Sequence, residues 1–388
     1  MQIKNLSLLA LAGSAFAQQS NLTEVLTSQN STLSTLIGLL GQQPAILQGL
    51  AQAQNITILA PSNAALEEFL KAPAVMQAVA ADPGLVAAIL SYHVLNGTYY
   101  ASSFTEQPQF IPTLLQNETY TNITGGQRVQ AQTVGGNVTF FTALRENSTV
   151  SQGNLNFTAG TVHIIDKVLS VPGSINTTLQ QANLTAAVGA IRAANVTSTL
   201  AAAKDLTIFV PNNAAFAAIG SLAGSIASAE LAQILSYHVV GSVLYSPQIT
   251  NTSLTTLGGG NVTVRVINET VYVNEAKVVV PNILVENGVV HVIDGVLNPN
   301  NTSVQPDTSA STRAPAYSGA STATDGSNPF TSGVEAPSTT PPVATETGAG
   351  NGGGAVQTTT SSTQAAPMRT AAVGAAALFG GMAAYMNI

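Results

Sequence analysis

The chain contains no cysteine and no tryptophan, and only four histidines in 388 residues. Without cysteine there is no disulfide framework, no thiolate metal site and no thiol nucleophile. Charge is scarce as well. Asp, Glu, Lys and Arg make up 7% of the chain, against about a quarter of an ordinary soluble domain. The 11 basic residues are outnumbered by 18 acidic ones, for a net charge of −7, which leaves no basic footprint for nucleic acid. Catalytic signatures are missing too: there is no G-x-S-x-G elbow and no H-E-x-x-H. The acidic pair Glu67-Glu68 is adjacent in sequence, so its two carboxylates diverge on a helix rather than face one substrate. Gly348 to Gly353 formally matches G-x-G-x-x-G, but no strand pattern precedes it and no helix pattern follows. No nucleotide, metal or other cofactor is expected.

Apolar residues reach 45%, enough to build cores, so something other than charge must keep the folded chain in solution. Seventeen N-x-[ST] sequons after residue 17 supply it. They start at Asn21, Asn30, Asn55, Asn96, Asn117, Asn122, Asn137, Asn147, Asn156, Asn176, Asn183, Asn195, Asn251, Asn261, Asn268, Asn300 and Asn301. Hydrated glycans at these sites would do the work of surface charge.

The ends read as addresses. Residues 1–17 combine a basic start, an apolar centre and Ala15-Phe16-Ala17, the layout of a secretory signal peptide. Residues 371–388 are uncharged and rich in Ala, Gly and Met. With small residues and a polar spacer before them, they resemble a removable lipid-anchor signal, with Ser361 the candidate attachment site; a single membrane-spanning helix is the alternative. Residues 300–370 are dominated by Ser, Thr, Pro and Gly. Such a stretch buries too little apolar surface to offset its ordering entropy, and reads as a disordered, O-glycosylated stalk.

Between these ends the sequence repeats itself. Asn55 to Leu66 (NITILAPSNAAL) returns as Asp205 to Phe216 (DLTIFVPNNAAF). Ile89-Leu-Ser-Tyr92-His93-Val94 returns as Ile234-Leu-Ser-Tyr237-His238-Val239. Gly160 to Leu169 (GTVHIIDKVL) returns as Gly288 to Leu297 (GVVHVIDGVL). Three blocks in one order with unequal gaps imply a shared framework with variable loops, and place domains at 18–171 and 172–299. The spacing predicts buried strands ending at Pro61 and Pro211, with Asn63 and Asn213 as helix N-caps. Helices are predicted at the start of each copy, through Leu22, Val25, Leu26, Leu33, Leu36, Ile37 and Leu40. Hairpins are predicted around Gly135-Gly136 and near Asn268-Glu269, and closing strands over Val162 to Val168 and Val289 to Val296. The fold class is therefore α+β: several helices with an antiparallel sheet, built twice.

These blocks resemble the fasciclin-type, or FAS1, domain family, whose hallmarks are a T-x-F-x-P-[ST]-N-x-A-F block, a central Tyr-His and a G-x-[VI]-H-x-[VI]-D-x-[VI]-L block. The resemblance spans about residues 20–299 and departs at Leu66, where Phe is usual. It implies two tandem β-sandwich wedges with several helices, and a non-enzymatic role in adhesion or in organising cell wall or matrix. In animal members, contact has been attributed to the Tyr-His neighbourhood and to an acidic D-I-[LM] element. The contact candidates carried over are therefore Tyr92, His93, Tyr237, His238, Asn282, Ile283 and Leu284. Asn282 stands where the acidic residue would be, and the first copy shows no equivalent in sequence.

The four histidines, two per copy, offer too few convergent ligands for a metal centre, and in His-x-x-Asp the two side chains point to opposite faces of a strand. The reading preferred for them is hydrogen bonding to buried backbone. The expected function is that of a secreted, lipid-anchored surface glycoprotein, at the plasma membrane, wall or vacuole. Its partners would be other glycoproteins, wall polysaccharide or like domains. The rivals are a secreted carbohydrate-active enzyme and a purely structural wall glycoprotein.

Overall fold

The computed structural model describes residues 20–302, 305–308, 316–323 and 327–337. The expected signal peptide, Ser361 and the apolar tail 371–388 lie outside the described residues. So does most of the expected stalk.

The first copy opens with α1 (Leu22–Ser28), α2 (Asn30–Gly41) and α3 (Pro44–Gln52). Asn21 and Glu24 form a reciprocal capping box at the start of α1, and the predicted apolar stripe turns inward at Leu22, Val25, Leu26, Leu33 and Leu36. Then follow β1 (Ile56–Pro61), α4 (Asn63–Lys71), α5 (Pro73–Ala81), α6 (Leu85–Tyr92), β2 (Val94–Asn96), β3 (Gln109–Pro112), β4 (Arg128–Val134), β5 (Asn137–Phe141), β6 (Asn147–Phe157) and β7 (Gly160–Ile165). The second copy repeats the order with α7 (Ile175–Gln181), α8 (Thr185–Ala193), α9 (Thr197–Ala202), β8 (Leu206–Pro211), α10 (Asn213–Ala217), α11 (Gly220–Ala223) and α12 (Ser228–Tyr237). It ends with β9 (Val239–Val240), β10 (Thr252–Thr255), β11 (Asn261–Ile267), β12 (Thr270–Val273), β13 (Ala276–Val285) and β14 (Gly288–Ile293).

Each copy forms one seven-stranded sheet, ordered β2-β1-β7-β6-β5-β4-β3 and β10-β11-β12-β13-β14-β8-β9. The sheet curls until its edges meet, through the bridges Leu95–Thr113 and Val240–Thr256, so it approaches a barrel more closely than a two-layer sandwich. Its interior holds Tyr92, Phe104, Phe140 and Val129 in the first copy and Tyr237, Val262, Val264 and Val273 in the second. The helices pack on the outside of the curl.

The sheets differ from the antiparallel expectation at one pair each. β1 runs parallel to β7, and β8 parallel to β14, in matching register: Ile56 opposite Gly160, Leu206 opposite Gly288. All four strands but the Gly160 position are buried throughout, as central parallel strands are. A Cβ on Gly160 would lie 1.8 Å from the Ile56 carbonyl oxygen, and one on Gly288 1.9 Å from that of Leu206. Glycine opens this block because the neighbouring backbone fills the space a side chain would need.

The hairpins form where Gly135-Gly136 and Asn268-Glu269 place two residues at positive φ between paired strands, the geometry of a tight two-residue turn. The N-caps sit one residue earlier than the sequence suggests. Ser62 and Asn212 accept from the N–H groups of Ala65 and Ala215. Asn63 and Asn213 instead reach sideways: Asn63 accepts from Thr35 N–H and donates to the Ser31 carbonyl, while Asn213 accepts from Ala186 N–H and donates to the Asn183 carbonyl. They pin α2 and α8 to the strand ends.

Both copies belong to one compact unit. Within it, the described parts of the Ser/Thr/Pro-rich stretch differ from a free stalk. Residues 316–323 and 327–337 lie against the helices of the second copy, with Tyr317, Phe330 and Val334 packed on its core.

Candidate functional site

The Tyr-His pair ends α6 and α12, where helix gives way to strand. Tyr92 donates its hydroxyl to the Arg128 carbonyl, and Tyr237 to the Asn261 carbonyl. Burial pushes both phenols above their ordinary pKa. His93 Nε2 accepts from Leu169 N–H at 2.9 Å, so its proton sits on Nδ1, which donates to the Ile89 carbonyl. His238 repeats this with Leu297 N–H and the Ile234 carbonyl. Each histidine ties the end of a helix to the segment after the closing strand.

The second pair uses the opposite tautomer. His163 Nδ1 accepts from Asn154 N–H, and Nε2 donates to the Tyr99 carbonyl; His291 accepts from Asn282 N–H and donates to the Leu244 carbonyl. All four imidazoles are thereby neutral and saturated on both nitrogens. Desolvation holds His93, His238 and His291 down to about 4 and lowers His163 as well. The partner Asp of each His-x-x-Asp points elsewhere. Asp166 accepts from Thr149 N–H and Asp294 from Lys277 N–H, each on the neighbouring strand. No cluster of three or more His, Asp or Glu able to hold a metal occurs among the described residues.

Asn282 occupies a bulge of β13, with φ 63°. Its Oδ1 accepts from Ser246 N–H and its Nδ2 donates to Ser246 Oγ. The first copy does have an equivalent: Asn154, at φ 60° in the matching bulge of β6, accepts from Ala101 N–H in the same way. The sequence hid this because Ala101 and Ser246 lie in the variable loops. In both copies the asparagine anchors a loop to the bulge beside the buried histidine.

The structure therefore corrects the contact candidates. Tyr92, His93, Tyr237, His238, Asn282, Ile283 and Leu284 are all at most 3% exposed. Their apolar parts fill cores and their polar atoms are spent on internal bonds, so none presents a side chain to a partner while the fold is closed.

What lies outside includes most of the sequons. Of the seventeen sequon asparagines, all but Asn122, Asn176 and Asn301 are exposed. Several do structural work through Oδ1 alone. Asn55 accepts from Thr98 N–H, Asn117 from Thr119 N–H and Asn251 from Val266 N–H. A glycan joined at Nδ2 leaves that oxygen free.

Sequence reasoning missed the seam between the two copies. Phe110 stacks on Tyr245 with ring centroids 4.0 Å apart and planes 7° from parallel. Asn122 N–H donates to the Glu286 carbonyl, buried Gln127 to the Val285 carbonyl, and the Arg145 guanidinium to the Pro281 carbonyl. Both oxygens of Asp205 accept from Thr124, one from its N–H at 2.8 Å and one from its hydroxyl at 2.6 Å. Beside these contacts lies a cleft of about 640 Å³, lined in part by Pro108, Arg128, Tyr245 and Pro247. One signal was available: Asp205 holds the place of Asn55 in the repeated block, so the second copy carries a carboxylate where the first carries a sequon.

Comparison with known proteins agrees with the twofold repeat. The Fasciclin domain pattern matches residues 31–172 and 182–299. A fasciclin-like arabinogalactan protein from Arthroderma benhamiae is 34% identical over 83% of this chain and 77% of its own. A second, from Phaeosphaeria nodorum, is 30% identical over 70% of this chain and 86% of its own. A solved FAS1 domain pair from the insect cell adhesion molecule fasciclin I aligns with 71% of this chain and 100% of its own, at 20% identity and a TM-score of 0.35.

Proposed function

The chain belongs to the fasciclin domain family, and from that premise we propose that it is a non-enzymatic glycoprotein of the cell surface or wall. Its tandem domains act as a braced, sugar-coated pair that contacts other surface or matrix glycoproteins, wall polysaccharide or a second copy of itself. A lipid anchor at the far end of the Ser/Thr-rich stretch holds it outside the plasma membrane.

The observation that carries this reading is how the shared residues are used. What the two copies have in common, the Tyr-His pair and the histidine of the His-x-x-Asp block, is consumed in bonds to backbone. What faces outward is variable loop and exposed sequon. A scaffold of that kind has chemistry left for binding and little for turnover. Weak contacts from two fixed domains gain strength together through effective concentration.

Treating intact cells with a phosphoinositide-specific phospholipase should release the protein, and the freed ectodomain should then capture wall or surface glycoconjugates. Retention on treated cells would remove the lipid-anchor part of the proposal. Hydrolysis of wall glucan by the purified ectodomain, abolished by a single Asp→Asn change, would overturn the non-enzymatic part.

A further inference from the structure

Helix α8 is buried all round over its first two turns. Every residue from Thr185 to Ile191 is buried, whereas its counterpart α2 buries only Leu33, Leu36, Leu39 and Leu40. A helix apolar all round needs cover on both sides. Helices α7, α10 and α12 pack against α8, and the chain's own residues 327–337 cover it at Gly189.

The fit is specific. A Cβ on Gly189 would meet the Phe330 carbonyl oxygen at 1.6 Å, and one on Gly220 would meet Ala323 N at 2.7 Å. The Phe330 ring stands edge-on to Phe216 with centroids 6.0 Å apart and planes at 80°. Polar bonds line the track. Ser221 N–H donates to the Ser321 carbonyl, and Ser321 N–H donates to Ser221 Oγ. Arg192 donates to the Gly333 carbonyl and Gln180 to the Glu335 carbonyl. Tyr317 donates to the Leu297 carbonyl. Phe330 itself has φ 63°, a conformation that bulky residues adopt only when their surroundings impose it.

Among the described residues, nothing fills the matching seat in the first copy. Counting from the N–H that Asn63 or Asn213 caps, Gly38 of α2 matches Gly189 of α8. No described atom lies within 4 Å of the Cβ position of Gly38. The floor differs as well, since Leu66 stands where Phe216 does.

We propose that the α8–α10–α11 face of the second domain is a peptide-docking groove whose occupant is the chain's own segment around Pro329-Phe330. The tether to the surface then leaves the domain from this helical face, beyond Glu335, and not from the end of β14. This goes beyond the adhesive role proposed above and does not depend on it.

Hydrogen exchange on the secreted ectodomain, with its full Ser/Thr-rich stretch, tests it. In the unaltered protein the amides of Ala320, Ser321 and Val334 should exchange slower than in a free peptide by about tenfold or more. Phe330→Ala, which touches no domain core residue except through the groove, should abolish that protection while β8 and β14 stay protected. Gly189→Ala separates docking from simple helix propensity: alanine favours an isolated helix, but here its methyl group would expel the Phe330 carbonyl and free the segment. Free-peptide exchange rates in the unaltered protein would overturn the proposal. So would unchanged protection in both variants.

Discussion

His238 stays neutral because burial pushes its pKa down to about 4, and His93 and His291 share that fate. In the unfolded chain an imidazole takes up its proton near pH 6.5. Between about pH 6.5 and 4 the unfolded state therefore binds more protons than the native one, and stability falls as the pH falls. The contribution is complete above pH 6.5 and is lost on the way down to pH 4. Each tenfold change in proton affinity is worth about 1.4 kcal/mol, so each histidine carries up to about 3 kcal/mol of this dependence. Urea midpoints measured from pH 7.5 to 4.5 should drop steeply through that window. His238→Gln should lower the midpoint at pH 7.5 and flatten the slope; a midpoint independent of pH between 7 and 5 would contradict the assignment of neutral, saturated imidazoles. The residue scale is also where family analogy misleads. Tyr92 and Tyr237 look like exposed contact residues only until their 0% and 1% exposure is known.

Among the elements, the parallel pairs β1–β7 and β8–β14 set the tightest constraints. Gly288→Ala would drive a methyl group into the Leu206 carbonyl, backbone against backbone, with no flexible side chain to yield. Thermal denaturation should show a loss of about 3 kcal/mol or more, or a failure to secrete. Gly38→Ala is the internal contrast: its site on α2 is open, and the change should stabilise by about 0.5–1 kcal/mol. An equal loss at both positions would mean that backbone crowding is not what singles out Gly288. Much of this level was legible in the sequence. Gly135-Gly136 and Asn268-Glu269 announced hairpins because tight turns require positive φ. The helix stripe from Leu22 to Leu40 announced itself by period. The parallel pairing did not, because strands buried on both faces lose the alternation that reports orientation. The capping residues were misplaced by one, since Ser62-Asn63 and Asn212-Asn213 each present two adjacent side chains able to cap. Asn154 was missed because its match to Asn282 lies in bulge geometry and not in neighbouring letters.

For the whole molecule, the seam decides whether two domains act as one body. Its strongest element is the Phe110–Tyr245 stack, supported by the Thr124–Asp205 and Gln127–Val285 bonds. The Lys204–Glu118 ion pair at 2.8 Å is solvent-exposed and contributes little. A double-mutant cycle with Phe110→Ala and Tyr245→Ala should give a coupling of about 1 kcal/mol. Small-angle scattering of the double variant should show a larger radius of gyration, as the pair begins to flex; an unchanged scattering profile would mean that the backbone bonds alone fix the angle. Beyond Asp205 in the place of Asn55, the seam was not legible, because Phe110 on β3 and Tyr245 in the loop after β9 fall where the copies differ, and periodicity says nothing about which aromatics meet across domains. The described stretch after Asn298 was equally opaque: its composition reads as unstructured, and only the burial of α8 from Thr185 to Ile191 betrays that something must lie across it.

The parallel pairing also dictates timing. β8 lies between β9 and β14, and β14 is the last strand of its copy to leave the ribosome. Neither sheet can close until its final block has been synthesised, and such sequence-distant pairing is intrinsically slow. On the secretory route proposed above, the growing chain would meet the glycosylation machinery while still open. Asn122, half-buried once Thr124 and Asp205 have joined, stands clear of any neighbour at that stage. Whether it acquires a sugar is a race between oligosaccharide transfer and the docking of the second domain, and its occupancy would record which came first.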